Sequence, residues 1–188
     1  MIIDPSIFKA YDIRGIYPTQ VNTEFAYMLG LAYAAWLKKQ AGKESLTIAV
    51  ARDGRESGQS LKNVLIEGLM QGGAAIIDFD MQSTPSFYYG VATSAADGGI
   101  QISASHNPKE WNGFKIVRQG AVPVGKDTGL AEIAQLMQQS SADLASEQTG
   151  KTISFQTDVV RRLVDEVLLS VAPSNIKPFT IVADTANA

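Results

Sequence analysis

Cysteine is absent from this 188-residue sequence, and histidine occurs once. The absence of cysteine excludes a disulfide scaffold and thiolate metal sites, and it agrees with the cytoplasmic location that we expect for the protein. Acidic residues number 19 and basic residues 16, which gives a formal net charge of -3. Because the sequence has no basic excess, we expect neither nucleic acid nor an anionic membrane as a partner.

Long hydrophobic runs are also lacking. The longest apolar stretch, residues 25–37, is flanked by charged residues and is shorter than the roughly 20 residues that a membrane-spanning helix needs. It therefore predicts a buried core helix. The N-terminus has no basic region followed by an apolar core, so it does not resemble a signal peptide. With 45% hydrophobic and 19% charged residues, the composition is that of a globular protein.

Segments that predict strands alternate with segments that predict helices. Aliphatic and β-branched residues indicate strands at 46–50, 75–79, 99–103 and 114–117. Capping residues, terminal glycines and apolar periodicity indicate helices at 23–40, 57–71, 86–94, 128–138 and 158–171. The remaining interpretations are a short strand or extended segment at 7–11, a loop at 12–15, a linker at 140–150 and a final strand at 179–183. This alternation predicts a layered α/β domain.

Residues 98–115 predict a phosphate-handling site. A short strand that ends at Ser103 is followed by small and turn-forming residues as far as Pro108. Because proline disfavours helical geometry in the residue before it, we expect an exposed, extended loop just past the strand end. This loop offers a hydroxyl, an imidazole and an amide, and the next strand adds an ammonium group. The side chains that supply these groups are Ser105, His106, Asn107 and Lys115.

His106 has two competing interpretations, structural and catalytic. A lone histidine is more often structural, and its place directly after Ser105 makes it a poor triad base for that serine, because successive side chains point in different directions. The sequence has no G-x-S-x-G motif that would support a hydrolase. We expect His106 to orient the loop or to hydrogen-bond a phosphate, and Asn107 to stabilise the turn through its amide.

Four stretches of the sequence resemble signatures of the α-D-phosphohexomutases. The phosphoserine loop of that family, T-A-S-H-N-P, is matched by S-A-S-H-N-P at 103–108, and its N-G-x-K by N-G-F-K at 112–115. The N-terminal signature of the phosphomannomutase/phosphoglucomutase branch resembles F-K-A-Y-D-I-R-G at 8–15. The family's G-R-D-x-R-x-S-G resembles A-R-D-G-R-E-S-G at 51–58. Ser103 stands where the family loop has threonine, which keeps the hydroxyl and loses a methyl group.

The resemblance implies a three-layer α/β/α domain with a mixed, mostly parallel sheet, which is the first domain of a phosphohexomutase. We assign residues 1–150 to this domain and residues 151–188 to the opening helix and strand of a second domain. The family has four domains, so the chain is interpreted as an N-terminal fragment. Domains II to IV of the same full-length chain are then its missing partners.

Family membership also implies an activity. Members of the family are intramolecular phosphotransferases that interconvert hexose 6-phosphate and hexose 1-phosphate, with mannose or glucose as the sugar. By this resemblance Ser105 carries the phosphate, and hexose 1,6-bisphosphate is the intermediate and activator. Lys115 is the expected general acid or base, and His106 is a further catalytic residue.

Binding of substrate or phosphate is implied for three other side chains, Tyr11, Arg14 and Asn107. The alternative is that Arg14 is a solvated loop cation and that Tyr11 packs in the core. The two arginines of the 51–58 stretch also have two interpretations, since either could attract substrate phosphate or both could brace neighbouring loops through Arg–Asp pairs.

The resemblance further implies Mg²⁺, with the oxygen of Ser105 or its phosphate as a ligand. The family's D-G-D-x-D-R loop does not occur in this sequence, and Asp78 and Asp80 lack a third carboxylate. We therefore expect the chain alone neither to bind Mg²⁺ tightly nor to turn over substrate. One alternative function is a non-catalytic phosphosugar-binding or interaction module. Another is a nucleotide-binding P-loop at 120–126, although Asp127 replaces the serine or threonine that would hold magnesium.

Overall fold

The structure is a computed structural model that describes residues 3–147, 149–150, 153–171 and 176–184. The strands are β1 (Ile13–Ile16), β2 (Leu46–Arg52), β3 (Ala74–Met81), β4 (Gly98–Ile102), β5 (Trp111–Arg118), β6 (Val122–Pro123) and β7 (Ile153–Phe155). The helices are α1 (Thr23–Ala41), α2 (Gly58–Gln71), α3 (Thr84–Thr93), α4 (Leu130–Leu136), α5 (Ser141–Leu144) and α6 (Val159–Val171). Within these described ranges, every helix is too short or too polar to cross a membrane.

The strands form a single mixed sheet with the order β1-β5-β4-β2-β3-β7, and β6 pairs with β5. β2 lies parallel to β3 and to β4, and β3 lies parallel to β7. β5 is antiparallel to β1, β4 and β6. Among the described strands, β5 therefore runs against all the others, and the predicted mixed, mostly parallel sheet is confirmed.

Helices cover both faces of this sheet, which confirms the predicted three-layer α/β/α architecture. Successive side chains of a strand point to opposite faces, and β2 shows this clearly. Ile48 and Val50 belong to a core that includes α1 and α2, whereas Ala49 and Ala51 belong to a second core beneath α3. β2 is thus buried on both faces, as its continuous aliphatic sequence predicts.

The structure corrects the prediction at two places in the first half of the sheet. Residues 12–15, predicted as a loop, lie mostly in β1, because Ile13–Ile16 pairs with the start of β5. The extended segment predicted at 7–11 is reduced to one isolated bridge between Phe8 and Ile13. The first difference arises from a contact between residues far apart in the sequence, whereas the bridge joins near neighbours.

Later in the chain, two predicted elements are altered and one is wrong. The helix predicted at 128–138 begins only at Leu130, after a short 3-10 turn, and the linker predicted at 140–150 contains α5, whose Leu144 is buried. The final strand predicted at 179–183 is wrong, since the described residues 176–184 contain no strand. Its apolar side chains are exposed because no described strand lies beside them.

β7 is a strand that the sequence pattern did not predict. It pairs in parallel with β3, with Ile153 opposite Ile76. The first residue of α6, Val159, is fully buried in the same core as Phe79 and Phe87. Residues beyond position 150 therefore contact the main sheet and its helices, and the division of the chain into two domains at that position stays a prediction.

The buried Tyr33 of α1 is predicted to make the stability of the fold decrease at alkaline pH. Its buried hydroxyl donates a hydrogen bond to the Val117 carbonyl oxygen at 2.7 Å. Burial raises the pKa of Tyr33 far above its ordinary value, because the phenolate would lose its hydration. The unfolded chain ionises this group near pH 10, so the folded state loses stability above about pH 10, by up to about 1.4 kcal/mol per pH unit.

We therefore expect the unfolding free energy of Tyr33→Phe to fall less steeply above about pH 10 than that of the parent. The variant should be less stable at pH 7 by about 1 kcal/mol, because the Val117 carbonyl loses its donor. Urea denaturation at several values between pH 7 and pH 11 measures both effects. The same decline of unfolding free energy with pH in the variant and the parent would contradict the prediction.

Candidate active site

Ser105 is exposed and lies on the loop after β4, as predicted, but at Ser105 and His106 the chain turns instead of continuing extended. The serine loop is defined here as residues 103–111, from the end of β4 to the first residue of β5. Its φ of 57° is in the left-handed region, which is rare for a residue other than glycine. Two hydrogen bonds hold the backbone in this shape. The Ser105 N–H donates to the Ser103 hydroxyl at 3.0 Å, and the Asn107 N–H donates to the Ala104 carbonyl at 3.1 Å. The hydroxyl that Ser103 shares with the family's threonine therefore has a structural use.

Asp12 is the anion at the centre of the site. It is 4% exposed, and its Oδ2 accepts hydrogen bonds from the Arg14 guanidinium at 2.8 and 2.9 Å. The same oxygen accepts from the Lys115 Nζ at 3.2 Å. Arg14 reaches the serine loop as well, since its Nη1 donates to the Asn107 Oδ1 at 3.0 Å. One buried carboxylate thus orients two cations beside the loop that carries Ser105.

The pairing of β1 with β5 explains why these side chains meet. In this register Arg14 lies opposite Gly113 and Ile13 opposite Phe114, and the next pair along brings Asp12 beside Lys115. Residues two apart on a strand share a face, so Asp12, Arg14 and Lys115 point the same way. Gly113 leaves room for the close approach of β1, because a Cβ there would lie 2.0 Å from the Ile13 carbonyl oxygen.

His106 lies closer to Ser105 than the sequence indicated. Its Nδ1 is 3.2 Å from the Ser105 Oγ, within hydrogen-bonding distance, and both residues are exposed. The left-handed backbone of Ser105 ends the alternation of side-chain directions that an extended loop would have. In the part of the chain that the structure describes, His106 makes no further side-chain hydrogen bond that would orient it as a triad base. Its predicted role in orienting the loop or binding phosphate stays a prediction.

Tyr11 is 77% exposed, so the interpretation of this side chain as core packing is wrong. Together with Arg14 and Asn107, it lines a cavity of about 360 Å³ at the edge of the serine loop. The structure therefore brings the three residues predicted to bind substrate or phosphate to one place. The roles themselves stay predictions.

Arg55 makes its contacts with the backbone of the serine loop. Its guanidinium donates to the carbonyl oxygens of four residues, Ser105, Asn107, Pro108 and Trp111, at 2.7 to 3.0 Å. Its Nε also donates to the Asp53 carboxylate at 3.2 Å. Arg52 instead bonds Gln59 and the Asp53 carbonyl. The bracing interpretation of these arginines agrees with these contacts.

Comparison with known proteins now gives the family. The family described as phosphoglucomutase/phosphomannomutase, alpha/beta/alpha domain I, matches residues 5–143. This chain belongs to that family. The resemblance predicted from the serine loop and the N-terminal signature is therefore confirmed.

Individual family members differ in the share of their length that this chain covers. It is similar to a phosphomannomutase of Vibrio cholerae, with 35% identity over 181 residues that cover 96% of this chain and 38% of that protein. A phosphomannomutase of Escherichia coli has 37% identity over 184 residues, with the same coverage of each chain. A shorter phosphomannomutase of Klebsiella pneumoniae has 38% identity over 156 residues, which cover 81% of this chain and 96% of that protein. The chain thus spans about two fifths of the length of the first two relatives.

Solved structures support the fold. A phosphoglucomutase/phosphomannomutase family protein of Burkholderia thailandensis superposes with a TM-score of 0.72 and 31% identity, over 95% of this chain and 38% of that one. A putative phosphomannomutase of Thermus thermophilus superposes with a TM-score of 0.73 over 90% of this chain and 37% of that one. Its identity is 20%, so this second likeness concerns the fold alone.

The described residues do not fit a complete magnesium site. They contain no group of three or more histidine, aspartate or glutamate residues arranged to hold a metal ion. Asp12 is committed to two cations, and Asp78 is committed to Lys62 at 2.7 Å. Ser105 is the predicted ligand that remains, and one oxygen is too few for a hard cation that prefers about six.

The nucleotide P-loop interpretation of 120–126 is not supported by the geometry. A P-loop runs from a strand directly into a helix whose first N–H groups surround the phosphates. Here Val122–Pro123 forms β6, and the Lys126 N–H donates to the Ala10 carbonyl at 2.9 Å. The next α-helix begins only at Leu130.

Sequence reasoning missed Asp12 as a member of the site. The residue lies inside the N-terminal signature, between Tyr11 and Arg14, and the signal that could have found it is its spacing. An aspartate two residues before an arginine shares a face with it if the segment is a strand. Interpreting 12–15 as a loop concealed this relation.

Proposed function

We propose that this chain supplies the phosphate-carrying domain of a hexose phosphate mutase, with Ser105 as the residue that carries the phosphate. The substrates are hexose 6-phosphate and hexose 1-phosphate, with mannose or glucose as the sugar, and hexose 1,6-bisphosphate is the intermediate. The remaining domains of a complete mutase would bind the rest of the sugar. The proposed location is the cytoplasm.

The observation that carries this proposal is the arrangement of Arg14 and Lys115 around Asp12, next to the Ser105 loop. Phosphoryl transfer depends mainly on positioning and on neutralising negative charge. The shared carboxylate fixes both cations without neutralising them fully, since one negative charge faces two positive ones. The site therefore keeps a net positive charge that favours a phosphate group beside Ser105.

The proposed transfer step exchanges one phosphorus–oxygen bond for another. A sugar hydroxyl attacks the phosphorus of phosphorylated Ser105, and the bond from phosphorus to the serine oxygen breaks. The Lys115 ammonium gives a proton to the leaving serine oxygen, and the amine so formed takes up the proton of the sugar hydroxyl, which restores the cation. The other phosphate of the bisphosphate then returns to Ser105 by the reverse exchange. The family resemblance also implies Mg²⁺, but since the described residues do not form its site, this proposal assigns no step to the metal.

Phosphorylation of Ser105 is the direct test. We expect the protein, as purified or after incubation with glucose 1,6-bisphosphate and Mg²⁺, to carry phosphate on the peptide that contains residues 103–108. Fragmentation in the mass spectrometer separates Ser105 from Ser103. Ser105→Ala should abolish the incorporation completely, whereas steady-state interconversion by residues 1–188 should be slight because they cover only 38% of the length of the Vibrio cholerae relative.

The same experiment separates the mutase from a phosphosugar-binding module. Retention of both Ser105 and Lys115 favours the mutase, because a binding module does not need a nucleophile and a proton carrier. If the protein binds hexose phosphate but Ser105 takes no phosphate under either condition, the mutase proposal fails and the binding module is the better account.

A further inference from the structure

We propose that Arg55 is the positioning residue of the Ser105 loop, which it holds in its reactive shape through the planar fork of its guanidinium group. This inference rests on the proposed function of Ser105. Arg55 is not one of the residues assigned above to substrate, phosphate or metal. It acts through the backbone of the loop.

The donors of Arg55 are fully used within the protein. Nη1 donates to the Pro108 and Trp111 carbonyls at 2.7 and 3.0 Å, and Nη2 donates to the Ser105 and Asn107 carbonyls at 2.9 and 2.7 Å. Nε donates to Asp53 at 3.2 Å. A guanidinium has five N–H donors, so none is left for a phosphate. The side chain is 14% exposed.

The serine loop needs such a group because its carbonyl oxygens converge. Four carbonyl dipoles that point at one spot repel each other unless a cation lies between them. The loop also contains a strained residue, since Ser105 has a φ of 57°, and such a conformation persists only where its surroundings enforce it. Arg55 meets both needs, and one of its bonds is to the carbonyl of Ser105 itself.

Arg55 is in turn fixed to the sheet. The Asp53 N–H donates to the Ile102 carbonyl at 2.9 Å, at the end of the strand that leads into the serine loop. The Asp53 carboxylate accepts from the Arg55 N–H at 3.1 Å and from its Nε. Beside it, the Asn112 side chain donates to the Ser57 hydroxyl at 2.8 Å. A chain of hydrogen bonds therefore connects the end of β4 to the Ser105 carbonyl through Asp53 and Arg55.

Lysine should not replace arginine here, because an ammonium group is a point charge and cannot span four carbonyls in one plane. In Arg55→Lys and Arg55→Ala, we expect hydrogen exchange of the backbone amides at 104–112 to accelerate by roughly tenfold or more, since several hydrogen bonds are lost together. The rate of Ser105 phosphorylation from glucose 1,6-bisphosphate should fall by about the same factor or more. Arg52→Lys is the matched control, because the hydrogen bonds of Arg52 in the described part of the chain go to Gln59 and to the Asp53 carbonyl and not to the loop. Both its rates should stay within about twofold of the parent.

A rescue experiment distinguishes positioning from a general loss of stability. Guanidinium ion at millimolar concentration should restore protection of the loop and part of the phosphorylation rate in Arg55→Ala, whereas methylammonium should restore neither. Unchanged loop exchange in Arg55→Lys, or acceleration spread equally over β2 and α1, would overturn the proposal. If the parent takes no phosphate at all, the proposed function fails, but the exchange measurement still decides whether Arg55 holds the loop.

Discussion

Asp12→Asn is expected to slow phosphate transfer to Ser105 by roughly two orders of magnitude. Asp12 is buried, and its Oδ2 lies 2.8 Å from Arg14 and 3.2 Å from Lys115. Asparagine has almost the same shape, but its amide has no charge, so the two cations would repel each other without their shared anion. Each cation would then move away from the position that it needs beside the serine loop. The initial rate of Ser105 phosphorylation, followed by mass spectrometry, measures the effect.

Asp97→Asn is the matched control for this experiment. Asp97 is also buried, and it pairs with Lys43 and accepts from the Thr47 N–H at 2.9 Å, but it precedes β4 whereas Ser105 follows that strand. Both variants lose charge-assisted hydrogen bonds, and we expect each to lose roughly 1–3 kcal/mol of unfolding free energy. Only Asp12→Asn should slow the transfer. Phosphorylation in Asp12→Asn within about threefold of the parent would mean that Asp12 does not set the positions of the cations.

The sequence predicted the residues of the site better than their contacts. The serine loop motif identified Ser105, His106 and Asn107, and the strand that follows identified Lys115. The contacts depend on the pairing of β1 with β5, which joins residues about 100 positions apart. Local sequence patterns do not indicate which distant strands will pair. The contacts of Asp12 with Arg14 and Lys115 were therefore not predicted while residues 12–15 were interpreted as a loop.

The same limit explains the errors in the fold. The long buried strands and the helices with clear caps were predicted well because their signals are local. β7 has three residues and exists because β3 offers it an edge. The segment at 179–183 has a stronger strand signal, with Phe179 and Val182, but no described strand lies beside it and it forms none. Strand propensity therefore needed a sheet edge before it had any effect.

The Arg55 contacts show a different limit. The spacing of the two arginines around Asp53 suggested a brace built on Arg–Asp pairs, and Arg55 forms such a pair with the Asp53 carboxylate. The partners that matter for Ser105 are backbone carbonyls, however, and every residue has one. A sequence cannot indicate which carbonyls converge, because the convergence is a property of the loop conformation.

Lys62→Met is expected to cost the largest amount of stability of any single change proposed for this protein, about 3–5 kcal/mol. The Lys62 Nζ lies 2.7 Å from the Asp78 carboxylate, and both side chains are 5% exposed. Methionine fills a similar volume, so the loss comes from the charge that stays behind on Asp78 rather than from a cavity. Urea denaturation measures the change, provided that the denaturant slope stays that of the parent.

Two further variants decide whether the unpaired Asp78 carboxylate causes the loss of stability in Lys62→Met. Lys43→Met removes the lysine of the Asp97 pair, where the lysine side chain is 52% exposed, so the loss there should be below about 1 kcal/mol. The double variant Lys62→Met with Asp78→Asn should recover much of the stability lost in Lys62→Met, because asparagine is neutral and its oxygen can still accept the Asp80 N–H, which bonds Asp78 at 2.7 Å. A double variant no more stable than Lys62→Met alone would show instead that packing of the lysine stem, not the unpaired carboxylate, stabilises this part of the sheet.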